Sequence, residues 1–145
     1  MANEFDYSVS LSILHPSVHP KAITAAIREL RPIVESLAGS DRRDRKGQII
    51  LPPRRSMYSH WLADLHPEKR LFSGDVPLSD FIAMHLVELE RHQGLFHELS
   101  KEGEVTLMVA LYTKGNHAAG ILCADALRQC AELRVNIELD IYCEH

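Results

Sequence analysis

The strict alternation of apolar and polar residues near the start of the chain limits its fold more than any other feature. Every second position of the run EFDYSVSLSIL is apolar: Phe5, Tyr7, Val9, Leu11 and Ile13. The positions between them are polar: Asp6, Ser8, Ser10 and Ser12. A period of two with one polar side predicts a half-buried strand over residues 4–14, typical of an antiparallel or mixed sheet.

The end of the chain repeats this pattern. In VNIELDIYC the apolar set is Val135, Ile137, Leu139 and Ile141, and the intervening set is Asn136, Glu138, Asp140 and Tyr142. We expect a strand here, another at 104–113 that is apolar on nearly both faces, and two more in QIIL and SMYSHWLA. Helical spacing of apolar residues predicts helices at 20–31, 76–101 and 121–133. Residues 33–38 fit a helix or a strand, and the sequence leaves both open.

These elements follow the order β-α-β-β-α-β-α-β within one domain, residues 1–145. Both terminal strands keep one apolar face, and the amphipathic helices need a surface to cover. The sequence therefore predicts an α+β two-layer sandwich, with helices packed on one face of a mixed or antiparallel sheet.

Composition limits the classes of partner and the compartment. The formal net charge of −4 argues against general affinity for nucleic acid. The first twenty residues lack a basic start followed by an apolar core, and no run is long enough to cross a membrane. Three cysteines without metal-type clustering favour a reducing, cytoplasmic location. Cys123 and Cys130 are seven positions apart on a predicted helix, beyond disulfide reach, and are expected to pack in the core.

Three stretches resemble the bacterial domain-of-unknown-function family number 4279. They are the HPSVHP exit from the first strand, the run YSHWLADL, and the tail AELRVNIELDIYCE with its LDIY-type closing strand. The resemblance implies a small bacterial α+β domain, and members of the family are linked by genome context to toxin-immunity loci. It supplies no catalytic residues, because none is established for the family.

The stretch ILHPSVHP places two histidines four residues apart, each followed by a proline. Histidine is the commonest metal ligand, but Pro16 and Pro20 prevent the continuous helix that would align the two rings. We interpret the stretch as a strand-to-helix corner. In this interpretation Pro16 stops the strand, Ser17 or His19 caps the helix, and Pro20 begins it.

A second histidine cluster lies on the long predicted helix. His85, Glu88 and His92 fall on one side of it, a pattern that could contribute to a metal site in a helical bundle. Only one helix offers such ligands, so we expect His85 to lie at the edge of the core with its polar tip toward water. No metal or cofactor is assigned.

The polar face of the sheet is the first candidate site. Tyr58, His60 and Trp61 lie on one predicted strand, and Glu138 and Asp140 lie on another. If His60 came within about 3 Å of a carboxylate, the pair could perform general acid–base chemistry. The sequence does not fix the strand order, and polar residues are ordinary on a solvent-facing sheet.

The second candidate site is a basic loop whose arginines are Arg42, Arg43, Arg45, Arg54 and Arg55. The cluster suits an acidic protein surface or phosphate groups. It lacks the interleaved aromatic residues that stack on bases and the glycine-rich turn that holds a nucleotide.

No nucleophile motif or paired cysteine motif occurs in the sequence. We therefore expect a non-enzymatic binding module with a protein partner, of the immunity type that the resemblance implies. A second copy of the chain could also pair with an uncovered sheet face or edge. The alternative is a small hydrolase or metal-dependent enzyme that uses His60 with Glu138 or Asp140.

Overall fold

The computed structural model describes residues 4–41, 43, 46–49 and 57–144. In this part of the chain the strands are β1 (Asp6–His15), β2 (Pro32–Ser36), β3 (Ser59–Asp64), β4 (Leu71–Phe72), β5 (Glu104–Thr113) and β6 (Val135–Cys143). The α-helices of the same residues are α1 (Pro20–Ala26), α2 (Leu78–Leu89), α3 (Gln93–Leu99) and α4 (Ala124–Glu132), and a 3₁₀ turn at Glu90–His92 joins α2 to α3. The predicted α+β class is confirmed.

These strands form one mixed sheet with β1 in the middle. Their order is β2-β3-β1-β5-β6, and β4 pairs with β1 beyond the end of β3. The pairs that involve β1 or β3 are antiparallel, whereas β5 and β6 are parallel. A parallel pair needs a crossover between its strands, and α4 provides it.

One face of the sheet is packed against the helices. On this face β1 buries Tyr7, Val9, Leu11 and Ile13 completely, β3 buries Trp61 and Ala63, and β5 buries Val105, Leu107 and Val109. The helices contribute Ile23, Phe81, Leu86, Phe96 and Cys130 to the same core. Each large apolar side chain gains about 1.5–3 kcal/mol on burial, so a one-residue slip of β1 would be very costly. The predicted two-layer arrangement is confirmed.

The histidine–proline corner is structural, as predicted. Nδ1 of His15 accepts hydrogen bonds from the backbone N–H groups of Ser17 and Val18, at 3.1 and 2.9 Å. Nδ1 of His19 accepts from the N–H of Lys21 at 3.2 Å and so caps α1, which begins at Pro20. Both rings therefore satisfy backbone donors of the turn.

The first helix is shorter than predicted. It ends at Ala26 rather than near residue 31, because Ile27 leaves helical geometry at φ −104° and ψ 73°. The side chain of Ile27 is completely buried in the core. The chain turns here toward β2, and Pro32 begins that strand instead of interrupting a helix.

The helix predicted at 76–101 is broken. Regular α-helix ends at Leu89, and α3 begins at Gln93 after the 3₁₀ turn. His92 has φ −100° and ψ 15°, and its ring contacts the carboxylate of Glu29, beyond the end of α1. This long-range contact leaves no mark in the local apolar spacing, so the periodicity could not locate the break.

Two short strands complete the sheet. The segment left open at 33–38 lies mostly in β2, which pairs antiparallel with β3. β4 lies within a predicted loop, and its two residues pair with Asp6 and Tyr7. The strand predicted in QIIL falls partly outside the described residues, and its described Ile49 makes an isolated bridge with Arg43.

The connection from α4 to β6 is tight. Arg134 occupies the left-handed region at φ 60° and its N–H donates to the carbonyl of Ala131 at 3.1 Å. Cys130 is buried as predicted, but Cys123 is exposed at the N-cap of α4, so its assignment to the core is wrong. The core-facing side of α4 extends only from Ala126 onward.

Candidate functional site

The sheet face opposite the helices carries a row of large side chains at the end where β4 joins. Strand pairing places Phe72 beside Asp6, Asp6 beside Tyr112, and Tyr112 beside Tyr142. Paired residues share a face, and Asp6 alternates with the buried Phe5 and Tyr7. The row therefore lies on the open face, where Phe72 is 39% exposed and Tyr142 is 51% exposed.

Arg70 completes this row as a stack of three planar groups. Its Cζ lies 3.6 Å from the centre of the Tyr112 ring, and the rings of Tyr112 and Tyr142 are stacked with centres 5.3 Å apart at 16°. Nη2 of Arg70 lies 2.7 Å from Oε1 of Glu144. The hydrogen bond and charge of Arg70 lower the pKa of Glu144, and they hold the guanidinium over the ring.

Next to this aromatic row, the open face carries mostly small or polar residues. Ser8 pairs with Ala110 and Ala110 with Asp140, while Ser10 pairs with Met108 and Met108 with Glu138. The prediction that Ser8, Ser10, Glu138 and Asp140 share one face is confirmed by this register. Ser8, Ser10 and Ala110 are small, whereas Met108 and the two carboxylates are longer side chains on the same face.

Carboxylates surround the aromatic row. Asp6 lies within the row. On β6, Asp140 and then Glu138 are the next residues on the same face as Tyr142, and Glu144 forms an ion pair with Arg70. The nearby cation Lys114 follows the end of β5 and also lowers the pKa of Glu144. We call Phe72, Arg70, Tyr112 and Tyr142 with these four carboxylates the acidic aromatic patch.

The opposite end of the open face holds serine contacts. Oγ of Ser10 donates to Oδ1 of Asp64 at 2.7 Å, and Oγ of Ser12 lies 3.3 Å from Nε2 of His60. Burial lowers the pKa of His60. Ser12 is only 6% exposed, so its hydroxyl is not presented to a substrate.

The sheet order separates the residues of the predicted acid–base pair. β1 and β5 lie between β3, which carries His60, and β6, which carries Glu138 and Asp140. Three strand spacings amount to about 14 Å, whereas proton transfer needs contact or one bridging water. The convergence that the alternative enzyme hypothesis requires of His60 and either carboxylate is therefore not found, because the strand order, which the sequence leaves open, places two strands between them.

Trp61 and Tyr58 take different positions. Trp61 is completely buried on the helix side, where its Nε1–H donates to Oγ1 of Thr24 at 3.0 Å. It is a core residue of this chain and not part of the open face. Tyr58 precedes β3 and is 49% exposed.

Most of the predicted basic loop lies outside the described residues, namely Arg42, Arg45, Arg54 and Arg55. Arg43 is described and exposed, and its Nη1 donates to the carbonyl of Gly47 at 2.8 Å. It borders a depression of about 730 Å³ beside β2, together with Glu35 and Asp41. The mixed charge of this border distinguishes it from a purely cationic site.

The histidines of the long predicted helix do not converge. The ring centres of His85 and Phe81 are 4.3 Å apart, and Nδ1 of His85 lies 3.7 Å from Oε2 of Glu88. The ring of His92 contacts Glu29 instead. Burial lowers the pKa of His85, as expected at the edge of the core. Within the described residues no group of three potential ligands could hold a metal ion.

The sequence singled out Glu138 and Asp140 but missed the other members of the acidic aromatic patch, because they are far apart in the chain. Arg70, Tyr112 and Tyr142 come together only through the pairing of β4 and β5 with β1 and of β5 with β6. One signal was available: Tyr142 occupies a polar-side position of an alternating strand, as Asp6 does in β1. An aromatic residue at such a position is a candidate for contact with a partner.

The fold and this patch define a small α+β protein with a single helix layer and an open sheet face. No family model, curated protein or solved structure matches the chain. Among the described residues no helix is long and apolar enough to span a bilayer.

Proposed function

We propose that this chain is a protein-binding module, and that the acidic aromatic patch is its contact surface for a basic partner protein. The observation that carries the proposal is the Arg70–Tyr112–Tyr142 stack on the uncovered face of the sheet. Tyrosine and arginine are enriched at the energetic centres of protein interfaces, and here the planar groups already hold one another in place.

The charges around the stack favour a basic partner. The charge of Arg70 is largely balanced by Glu144, which leaves Asp6, Glu138 and Asp140 as net negative charge, with Lys114 nearby. Complementary charge accelerates association and excludes partners of the same sign. The resemblance to the domain-of-unknown-function family supports an immunity-type role, in which a bacterial protein of this kind neutralises a toxin by binding it.

The test compares three forms of the chain as bait in extracts of its source cells. They are the unmodified protein, the double variant Tyr112→Ala with Tyr142→Ala, and a control with Met84→Ala and Val87→Ala on the exposed side of α2. We expect a basic protein that the unmodified form and the control retain and the tyrosine variant loses. The purified candidate is then titrated against each form by calorimetry.

The expected loss of affinity in the tyrosine variant is at least about tenfold, with a smaller change in the control. Circular dichroism verifies folding, since the variant loses the pair energy of about 0.5–1.5 kcal/mol in addition to the apolar area that the two rings bury. A partner that binds the tyrosine variant as tightly as the unmodified protein, or that the α2 control loses instead, contradicts the proposal.

A further inference from the structure

The outer strand β6 has an unpaired edge. It is nine residues long, and among the described residues β5 is its only neighbour. Strands of globular proteins are more often about five or six residues long, and native proteins usually keep their exposed edge strands short. A long free edge offers a row of backbone donors and acceptors to an incoming strand.

The helix side of this strand is covered over only part of its length. Val135 is 5% exposed beneath α4, whereas Leu139 is 51% exposed and Ile141 is 64% exposed. On α4 itself Leu127 is 46% exposed. The second half of β6 therefore presents apolar side chains that nothing in the described part of the chain covers.

The other side of the same half-strand is acidic. Glu138 and Asp140 alternate with Leu139 and Ile141 and lie on the open face. An added strand places its side chains alternately on the two faces, whichever direction it runs. One set would meet the exposed leucine and isoleucine, and the other would meet the two carboxylates.

A second copy of the chain that pairs around the middle of this edge brings like charges together. In an antiparallel pair of two β6 strands related by a two-fold axis, residues of the same face lie opposite one another. When the axis lies at residue 138, 139 or 140, carboxylates of Glu138 or Asp140 face carboxylates of the other copy. Like charges directly opposite destabilise a strand pair.

We propose that β6 accepts an extended segment of the partner protein as an additional strand, in which apolar residues alternate with lysine or arginine. This inference rests on the proposed protein-binding function and specifies the partner's chemistry. Backbone hydrogen bonds supply affinity in such strand addition, and the alternating side chains supply specificity. The carboxylates that oppose self-pairing are the groups that select the basic segment.

The test uses a synthetic peptide of about nine residues that alternates valine with lysine, long enough to span the strand. A second peptide of the same composition carries its valines in one block and its lysines in another. Binding is measured by fluorescence anisotropy, and amide hydrogen exchange of β6 is followed in the complex. We expect the alternating peptide to bind and to slow exchange between residues 138 and 142, and the block peptide to do neither.

Two matched variants each reverse two charges, one variant at the β6 edge and the other away from it. Glu138→Lys with Asp140→Lys is expected to weaken binding of the alternating peptide by about tenfold or more, since each cross-strand charge pair contributes up to about 1 kcal/mol. Glu88→Lys with Glu90→Lys changes the net charge equally at the end of α2 and in the 3₁₀ turn that follows it, and is expected to leave binding within about twofold.

Equal binding of both peptides, unaltered exchange in β6, or equal loss in both charge variants would overturn strand addition. A dimer of the unmodified protein that the edge variants abolish would also overturn it, in favour of a second copy. None of these outcomes decides the tyrosine test, because they measure peptide binding at the backbone edge of β6, whereas that test measures how tightly the captured partner protein binds the Tyr112 and Tyr142 rings. The two proposals can therefore fail separately.

Discussion

At the scale of single residues, several histidines here form hydrogen bonds with the backbone. Nε2 of His66, in the segment between β3 and β4, accepts a hydrogen bond from the N–H of Val9 at 3.1 Å. His15 and His19 accept backbone N–H groups in the strand-to-helix corner. The position of these three histidines is explained by backbone donors that the strands and the helix leave unpaired.

His60 gives a prediction about acid stability. Burial lowers its pKa in the folded protein, whereas the unfolded chain takes up the proton near pH 6.5. Below that pH the unfolded state binds more protons, so the free energy of unfolding should fall as pH decreases from about 7 to about 5. His60→Gln should reduce this fall, measured by urea unfolding at both pH values.

Part of the acid sensitivity should remain in the His60→Gln variant, because burial also lowers the pKa of His85. A fall in stability that is as large in the variant as in the unmodified protein would show that His60 does not contribute to it.

At the scale of elements, the alternation of apolar and polar residues predicts the long strands well. Contacts between distant residues decide where the short strand β4 forms and where the long helix breaks. The patterns at 4–14 and 135–143 predicted β1 and β6, whose apolar faces are buried along β1 but only at the start of β6. β4 could not be predicted, because its two residues are ordered by pairing with Asp6 and Tyr7 and not by local preference. The break after Leu89 likewise depends on packing and on a contact between His92 and Glu29.

The turn between α4 and β6 gives a stability prediction at this scale. Arg134 occupies the left-handed region at φ 60°, which costs a non-glycine residue about 1 kcal/mol or more. Arg134→Gly should therefore raise the free energy of unfolding by about 1 kcal/mol. Thermal unfolding monitored by circular dichroism would show this as a higher Tm.

The matched control is Arg128→Gly within α4, where glycine should lower stability by about 1 kcal/mol. The exposed ion pairs of Arg128 with Asp125 and Glu132 add little to that loss. Changes of the same sign in both variants would contradict the assignment of strain to the turn.

At the scale of the whole molecule, the fold separates a core face from a contact face. The sequence predicted this division, since it follows from alternation alone. It did not predict which contact residues meet, because strand order decides that. The order keeps His60 away from Glu138 and brings Arg70, Tyr112 and Tyr142 together.

The most direct measurement of the central claim is site-resolved photo-cross-linking in the source cells. A benzophenone amino acid is placed at Ser8 or Ala110 on the open sheet face, beside the acidic aromatic patch, and at Met84 or Val87 on the exposed side of α2. The account predicts that one basic protein is cross-linked from the sheet positions and not from the helix positions. Cross-links to a partner from Met84 or Val87 alone would contradict it.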